Sequence, residues 1–322
     1  MRTILTAGTM WLRKQSKSST FGVALILLAL CVILTVATDK FLSQQNLFSV
    51  MRAFSYIAII AIGECMVIIS GGVDLSVGSI YGFGGLAAAI AVGRWGLPLA
   101  PGILVGMGTG IGFGIINGLL ITRIRMPPFI ATLGMLSVVR GLSYAVTSGY
   151  PIRTPSEFNA MGQGYFGVVP LPVVYLVLLS IVFTIFLNRT VIGRQIYAIG
   201  GNEEASGISG VRVIRVKMIV YMLAGLLAAT AGIVATARLG VAQSNAGLGY
   251  ELDVVAAVII GGASLSGGKG TILGAILGAA IMGVIRNGLV LLNVSAYWQQ
   301  AVIGLVIIAA IAADQLRQRQ NA

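Results

Sequence analysis

The sequence predicts an all-α fold, a polytopic membrane bundle of about ten transmembrane helices with both termini in the cytoplasm. Three observations support this prediction: 57% of the 322 residues are hydrophobic, only 9% are charged, and most charges lie in short gaps between apolar runs. A soluble protein of this size needs a polar surface that such a composition cannot supply. Function must therefore be sought in the polar residues that interrupt the apolar runs.

The apolar runs give the predicted helices in chain order. They lie at 21–38, 53–70, 77–92, 98–121, 128–147, 170–188, 217–236, 253–268, 270–285 and 298–313. No polar stretch is long enough for a soluble domain, so we expect one membrane domain over 1–322. The first run is too long for a signal-peptide core and no cleavage region follows it, so we expect it to remain as the first helix.

Basic residues give the orientation, because Lys and Arg are enriched on the cytoplasmic side of membrane proteins. With the N-terminus inside, 14 of the 21 Lys and Arg residues lie inside, six lie outside and Arg140 lies within a span. This bias places the N-terminal segment 1–20 and the segment 189–216 in the cytoplasm, and 148–169 outside. The net charge of +12 is then mainly a topology signal.

Glycine recurs at a fixed spacing of four residues in two of the runs. The positions are Gly102, Gly106, Gly110, Gly114 and Gly118, and then Gly270, Gly274 and Gly278. Residues four apart share one face of a helix, and small residues on that face let two backbones approach closely. The spacing predicts tight helix packing.

The motif GGVDLSVGS at 71–79 predicts a break between two helices. Asp74 can cap the second helix, while Ser76 and Ser79 keep its start polar. Two interpretations remain open: a capped turn between two spans, or a broken helix whose polar groups line a solute path. The similar segment GGASLSGGKG at 261–270 suggests duplicated halves.

Polar residues inside apolar runs are costly and face a cavity or a partner, and two of them, Glu64 and Asn117, are candidates for function. Asn117 either bonds across helices or touches solute. Glu64 is either a functional carboxyl or a neutral carboxyl packed against another helix. The candidates for a translocation path are thus Glu64, Asp74, Ser76, Ser79 and Asn117.

The cytoplasmic segment 189–216 contains a predicted short helix. Asn202 is a suitable N-cap, Glu203 and Glu204 occupy the first turn, and Gly207 offers a stop. A connection of this length exceeds what two neighbouring helices need. The segment is therefore interpreted as a docking element for a cytoplasmic partner rather than a simple connector.

The sequence lacks the residues that several other classes of function require. His is absent, and the two cysteines lie in separate apolar runs, which argues against a disulfide framework. The stretch 262–271 departs from the phosphate-binding loop at two essential positions, so no nucleotide site is expected. No basic module with interleaved aromatics indicates nucleic acid. We expect no catalytic residue, no metal and no cofactor bound by this chain.

Several motifs in one order resemble the membrane permeases of bacterial ABC importers for monosaccharides, the group that includes ribose, xylose, arabinose and allose permeases. The motifs lie at 71–79, 127–144, 193–211 and 231–271, and the resemblance covers roughly 21–316. One departure is Glu64, where many members of that family carry a small or hydroxyl-bearing residue.

The resemblance implies a non-enzymatic subunit of the bacterial cytoplasmic (inner) membrane, surrounded by membrane lipid. In that family two permeases, identical or sister chains, form the path. Two cytoplasmic ABC ATPase subunits drive it with ATP, and a periplasmic or lipid-anchored sugar-binding protein delivers the solute. The resemblance assigns ATPase coupling to Gly200, Gly201, Asn202, Glu203, Glu204, Ala205 and Gly207.

Two alternatives stay open. A permease for another small solute, such as a branched-chain amino acid or a nucleoside, shares the architecture. An ion-coupled secondary transporter would use Glu64 as its coupling carboxyl, but it would leave the segment 189–216 without a purpose.

Overall fold

The computed structural model describes residues 19–320, most of them helical. The helices are α1 Ser19–Ala37, α2 Gln44–Ile69, α3 Val77–Gly93, α4 Leu99–Thr122, α5 Pro128–Thr147, α6 Ser156–Gln163, α7 Leu171–Arg189, α8 Val191–Gly201, α9 Glu203–Ile208, α10 Val213–Leu239, α11 Tyr250–Ile260, α12 Ile272–Leu291 and α13 Ala296–Gln320. Residues 1–18 of the predicted cytoplasmic N-terminal segment lie outside the described part.

Four two-residue strands form two antiparallel pairs. β1 Ile152–Arg153 pairs with β4 Val241–Ala242, and β2 Tyr165–Phe166 pairs with β3 Val169–Pro170. The first pair ties the segment 148–169 to the end of α10. Together with α6, these strands order a segment that the sequence presented only as a polar stretch.

Seven of the described helices are long and apolar enough to cross a membrane: α1, α2, α4, α5, α7, α10 and α12. Two shorter apolar helices, α3 and residues 297–309 of α13, add to them. The predicted all-α polytopic bundle is confirmed. α2 begins nine residues earlier than the predicted run at 53–70, with Ser43 as its N-cap.

The predicted helix over 253–268 is wrong in its second half. α11 ends at Ile260, and residues 261–271 form a loop. Gly262, Gly267 and Gly268 in this loop have φ of +91°, +83° and +70°, a left-handed conformation that glycine adopts without strain. Hydropathy averaged over the run missed this end, because the strongly apolar residues 254–260 carry the average across the glycines and serines that follow.

The centre of the bundle is formed by α2 and α10. Every residue of α2 from 55 to 69 is buried, and α10 packs against α2, α3 and α4. In contrast, α1 and α7 present exposed apolar side chains such as Leu28 and Ile181. Such outer faces suit hydrocarbon rather than water.

The glycine series of α4 packs as predicted. A Cβ at Gly106 would overlap the Gly84 carbonyl, and one at Gly110 would overlap the Gly225 carbonyl. On the opposite face of α4, Gly112 has open space around it. The stripe therefore brings the backbone of α4 into direct contact with α3 and α10.

Candidate functional site

The predicted break at 71–79 is present as a loop, residues 70–76, between α2 and α3. Asp74 Oδ1 accepts hydrogen bonds from the backbone nitrogen of Ser76 at 2.9 Å and from its hydroxyl at 2.5 Å. The N-cap of α3 is Ser76, and no side chain caps the helix. The predicted capping role of Asp74 is thus wrong in its position: the carboxylate reaches two residues ahead and fixes the turn before the helix.

The structure brings all five path candidates together. Glu64 Oε1 accepts from the Asp74 nitrogen at 3.0 Å. Asn117 Nδ2 donates to Ser76 Oγ at 2.8 Å and lies 3.3 Å from Asp74 Oδ2. Ser79 Oγ donates to the Ser76 carbonyl at 2.8 Å. We call Glu64, Asp74, Ser76, Ser79 and Asn117 the polar cluster; it confirms that Asn117 bonds across helices.

The polar cluster retains unused hydrogen-bonding capacity. Glu64 Oε2, Asn117 Oδ1 and the hydroxyl of Tyr221 are buried and have no partner among the described residues. A buried polar atom without a partner carries a desolvation cost of about 1–3 kcal/mol. Neither Glu64 nor Asp74 forms an ion pair with a Lys or Arg of residues 19–320.

Sequence reasoning missed Tyr221, which lies in an apolar run of α10. In the structure its hydroxyl lies against Gly72 of the loop 70–76, where an added Cβ would overlap it. That contact joins residues almost 150 positions apart, so no local pattern reveals it. Tyr221 adds α10 to the elements that surround the cluster.

The polar cluster is closed off in this conformation. All five of its members have 0% exposure. Within residues 19–320, no group of three or more His, Cys, Asp or Glu is placed to hold a metal ion.

The segment 189–216 is mostly helical. The predicted short helix is present as α9, and Asn202 Oδ1 accepts from the Ala205 nitrogen at 2.8 Å as its N-cap. Sequence reasoning missed α8, because it treated 189–216 as a polar connection with a single short helix. The side chain of Ile208, at the end of α9, is 83% exposed.

The seven predicted coupling residues divide into two groups. Gly200 is half-buried, whereas the others are exposed: Gly201, Asn202, Glu203, Glu204, Ala205 and Gly207. Glu203 forms an ion pair of 2.5 Å with Lys217 of α10. Glu204 has no such pair within the described chain, so it is the carboxylate that remains free for a partner.

The end of α8 packs directly on backbone. Gly268 N donates to the Ile69 carbonyl at 2.9 Å, and Gly200 lies against both groups, so an added Cβ there would overlap them. Gly267 also packs on Gly200. We call Gly200, Gly267, Gly268 and the Ile69 carbonyl the glycine junction. It connects the segment 189–216 to the end of α2 and to the loop 261–271.

A side-chain hydrogen bond supports the junction. The Tyr197 hydroxyl donates to the Gly270 carbonyl at 2.8 Å. Burial raises the pKa of Tyr197 to about 12, so the hydroxyl keeps its proton at physiological pH. The bond therefore links α8 to the loop 261–271 at physiological pH.

The opposite face carries a small polar pocket. Its volume is about 290 Å³, and its lining includes Tyr144, Gln243, Ser244 and Asn245. Arg140 holds this region in place by donating to the carbonyls of Ser244 at 3.1 Å and Ala246 at 2.6 Å. The charge bias predicts that this face is exterior.

Comparison with known proteins assigns the chain to a family. The family model described as branched-chain amino acid transport system / permease component matches residues 46–311. The ribose import permease of Bacillus subtilis (strain 168) is 44% identical over 299 residues, covering 91% of this chain and 92% of that protein.

Two further relatives agree. The ribose import permease of Escherichia coli (strain K12) is 41% identical over 313 residues, covering 96% of this chain and 95% of that protein. A xylose transport system permease of Haemophilus influenzae is 33% identical and covers 94% of this chain and 99% of that protein. This chain therefore belongs to the permease family of bacterial ABC importers and is a multi-pass protein of the cytoplasmic membrane.

Proposed function

We propose that this chain is the permease subunit of an ATP-driven importer and forms the translocation path for a monosaccharide. The observation that carries the proposal is the exposed helix α9, joined through the glycine junction to the end of α2 and to the loop 261–271. An ATPase bound at α9 can thereby act on the two loops that end α2 and α11. The ribose and xylose permeases among the relatives support a sugar, and ribose is the first solute to test.

Each subunit of the proposed complex has a separate role. Cytoplasmic ABC ATPase subunits bind and hydrolyse ATP, and they dock on the exposed coupling residues around α9. An external sugar-binding protein delivers the solute to the polar pocket beside Tyr144. A second permease, a copy of this chain or a sister chain, completes the path. This chain acts as one membrane domain, binds no cofactor and catalyses no reaction.

The mechanism follows from the contacts. When the ATPase subunits close, α9 moves, and α8 carries the motion through Gly200 to the Ile69 carbonyl. The loop 70–76 begins directly after Ile69 and holds Asp74 and Ser76 of the polar cluster. Its displacement exposes Glu64 Oε2 and Asn117 Oδ1, which can accept hydrogen bonds from sugar hydroxyls. Two rigid arrangements whose populations the partners shift are sufficient for alternating access.

The test is ATP-dependent uptake of labelled ribose by proteoliposomes that contain the permease, its ATPase and its binding protein. The variant Glu204→Lys reverses the free carboxylate of α9, and we expect it to lower uptake at least about tenfold by weakening docking. The matched control is Glu157→Lys, an exposed glutamate of α6 on the opposite face. It should transport like the unmodified protein.

Other outcomes identify the alternatives. Uptake without ATP, driven by a proton or sodium gradient, indicates a secondary transporter. Uptake of labelled leucine or a nucleoside in preference to sugars indicates another solute class. Uptake by Glu204→Lys at the level of the unmodified protein contradicts coupling through α9.

A further inference from the structure

The cytoplasmic ends of α4 and α10 enclose a surface pocket of about 690 Å³. Three arginines line it: Arg123 at the end of α4, and Arg212 and Arg215 at the start of α10. Arg212 and Arg215 also line an adjoining cavity of about 340 Å³ beside α8. We call the larger cavity the basic pocket.

The positive charge of the basic pocket is not compensated by the described chain. The ion pairs within residues 19–320 are Lys217 with Glu203 and Arg286 with Asp253, and neither involves these three arginines. All three side chains are exposed. Three guanidinium groups around one cavity therefore favour binding of an anion. Their planar N–H donors match the geometry of phosphate oxygens.

The position of the pocket narrows the choice of anion. Arg123 follows the last residue of α4 and Arg212 precedes the first residue of α10, so both stand where spanning helices leave the membrane. Below them the lining is apolar: Leu119 and Ile214 are 43% and 44% exposed. Charge thus lies at headgroup depth, and exposed apolar surface continues from it toward the bilayer centre.

We propose that the basic pocket binds an anionic phospholipid of the cytoplasmic leaflet. The phosphate accepts hydrogen bonds from Arg123, Arg212 and Arg215, and an acyl chain lies along Leu119, Ile214 and Met218. An acidic protein surface would match the charge alone, whereas a lipid matches both the charge and the apolar floor. Gly207 of α9 also lines the pocket, so the bound lipid touches the segment that carries coupling.

The test uses the purified full-length permease in detergent, titrated with phosphatidylglycerol or with phosphatidylcholine and followed by native mass spectrometry. We expect preference for phosphatidylglycerol. The double variant Arg212→Gln/Arg215→Gln should bind it about 25-fold more weakly, at roughly fivefold per arginine. The matched control Arg189→Gln/Arg194→Gln removes two exposed arginines of the same face that do not line the pocket, and it should bind like the unmodified protein.

Several results would overturn the proposal: equal phosphatidylglycerol binding in both double variants, equal affinity for the two lipids, or full displacement of the lipid by inorganic phosphate. If the Arg212→Gln/Arg215→Gln variant loses ATPase binding but still binds phosphatidylglycerol normally, the arginines belong to the interface with the protein partner instead. If the double variant does not fold, Arg123→Gln alone should weaken binding about fivefold, and an unchanged affinity there also contradicts the proposal.

Discussion

At the scale of single residues, the polar cluster shows how one carboxyl can fix a buried loop. Glu64 Oε1 accepts the backbone N–H of Asp74, and Asp74 in turn accepts from Ser76. Backbone groups buried in a membrane protein need such partners, because no water is available to replace them. The loop 70–76 therefore depends on Glu64 although the two are not adjacent in sequence.

Replacing Glu64 tests this dependence. Glu64→Ala leaves the Asp74 nitrogen without an acceptor and creates a cavity, so the free energy of unfolding should fall by about 2–4 kcal/mol. Glu64→Gln keeps an acceptor oxygen and should change it by less than about 1 kcal/mol. The thermal midpoint of the purified protein in detergent measures both. An equal loss in the two variants would show that the carboxyl group as a whole, not its acceptor oxygen alone, supports the loop.

Gly200 gives a second test with a neighbouring control. A Cβ at Gly200 would overlap the Ile69 carbonyl, whereas Gly201 has no atom in the way. Gly200→Ala should therefore displace α8 and reduce the number of sugar molecules transported per ATP hydrolysed by at least about fivefold. Gly201→Ala should keep the normal ratio. Equal ratios in parallel uptake and ATPase assays would exclude the junction from coupling.

The sequence located the five members of the polar cluster, because polar residues stand out in apolar runs. It did not reveal Tyr221, whose aromatic ring fits an apolar run and whose hydroxyl faces a distant loop. Nor did it show that Asp74 serves the turn instead of the helix. Both depend on which helices become neighbours, and a single sequence does not contain that information.

At the scale of helices, the stripe of α4 sets how closely α10 approaches. Gly110→Ala should lower the free energy of unfolding by about 1–3 kcal/mol, since its Cβ would overlap the Gly225 carbonyl. Gly112→Ala lies on the open face and should be neutral or slightly stabilising, because alanine favours a helix over glycine. Denaturation in detergent compares them. A destabilised Gly112→Ala would mean that helix flexibility, not packing, matters.

The link between α8 and the loop 261–271 predicts a pH dependence. The folded protein raises the pKa of Tyr197 above its ordinary value near 10 to about 12, so the link is fully present below pH 10. It is lost as the pH rises from about 10 to 12. Tyr197→Phe should lower the free energy of unfolding by about 1 kcal/mol at pH 7 and make it independent of Tyr197 ionisation.

Unfolding of the two proteins at pH 7, 9 and 11 measures this effect. The difference between them should be constant at pH 7 and 9 and smaller at pH 11. A difference that grows with pH would contradict the neutral hydroxyl donor.

Helices were predicted well where length and hydropathy agree, as in α5, whose bounds match the predicted run at 128–147. α11 was overextended, because hydropathy averaged over the run carried the predicted helix past Ile260 into a loop of glycine and serine. α8 was missed for the opposite reason: its glycines and Arg194 resemble a polar connection. α8 nevertheless has local signals, since Thr190 accepts from the Gly193 nitrogen as its N-cap and Ile196 and Ile199 are buried at helical spacing.

At the scale of the whole molecule, the charge bias makes a prediction about topology. In a Cys31→Ser background, Ser209→Cys after α9 should react with a membrane-impermeant maleimide only after the cells are permeabilised. Tyr150→Cys in the segment 148–169 should react in intact cells. Labelling of Ser209→Cys from outside would reverse the orientation and remove α9 from the reach of an ATPase.

At Gly200 the main chain of α8 packs directly on the main chain of Ile69, with no side chain between them. Side chains can rotate to accommodate a small shift, but two main-chain segments in contact have no such freedom. A displacement of α8 by about one ångström must push the end of α2 or separate from it. A shift of α8 toward α2 is therefore passed to the start of the loop 70–76 and is not absorbed by side-chain rotation.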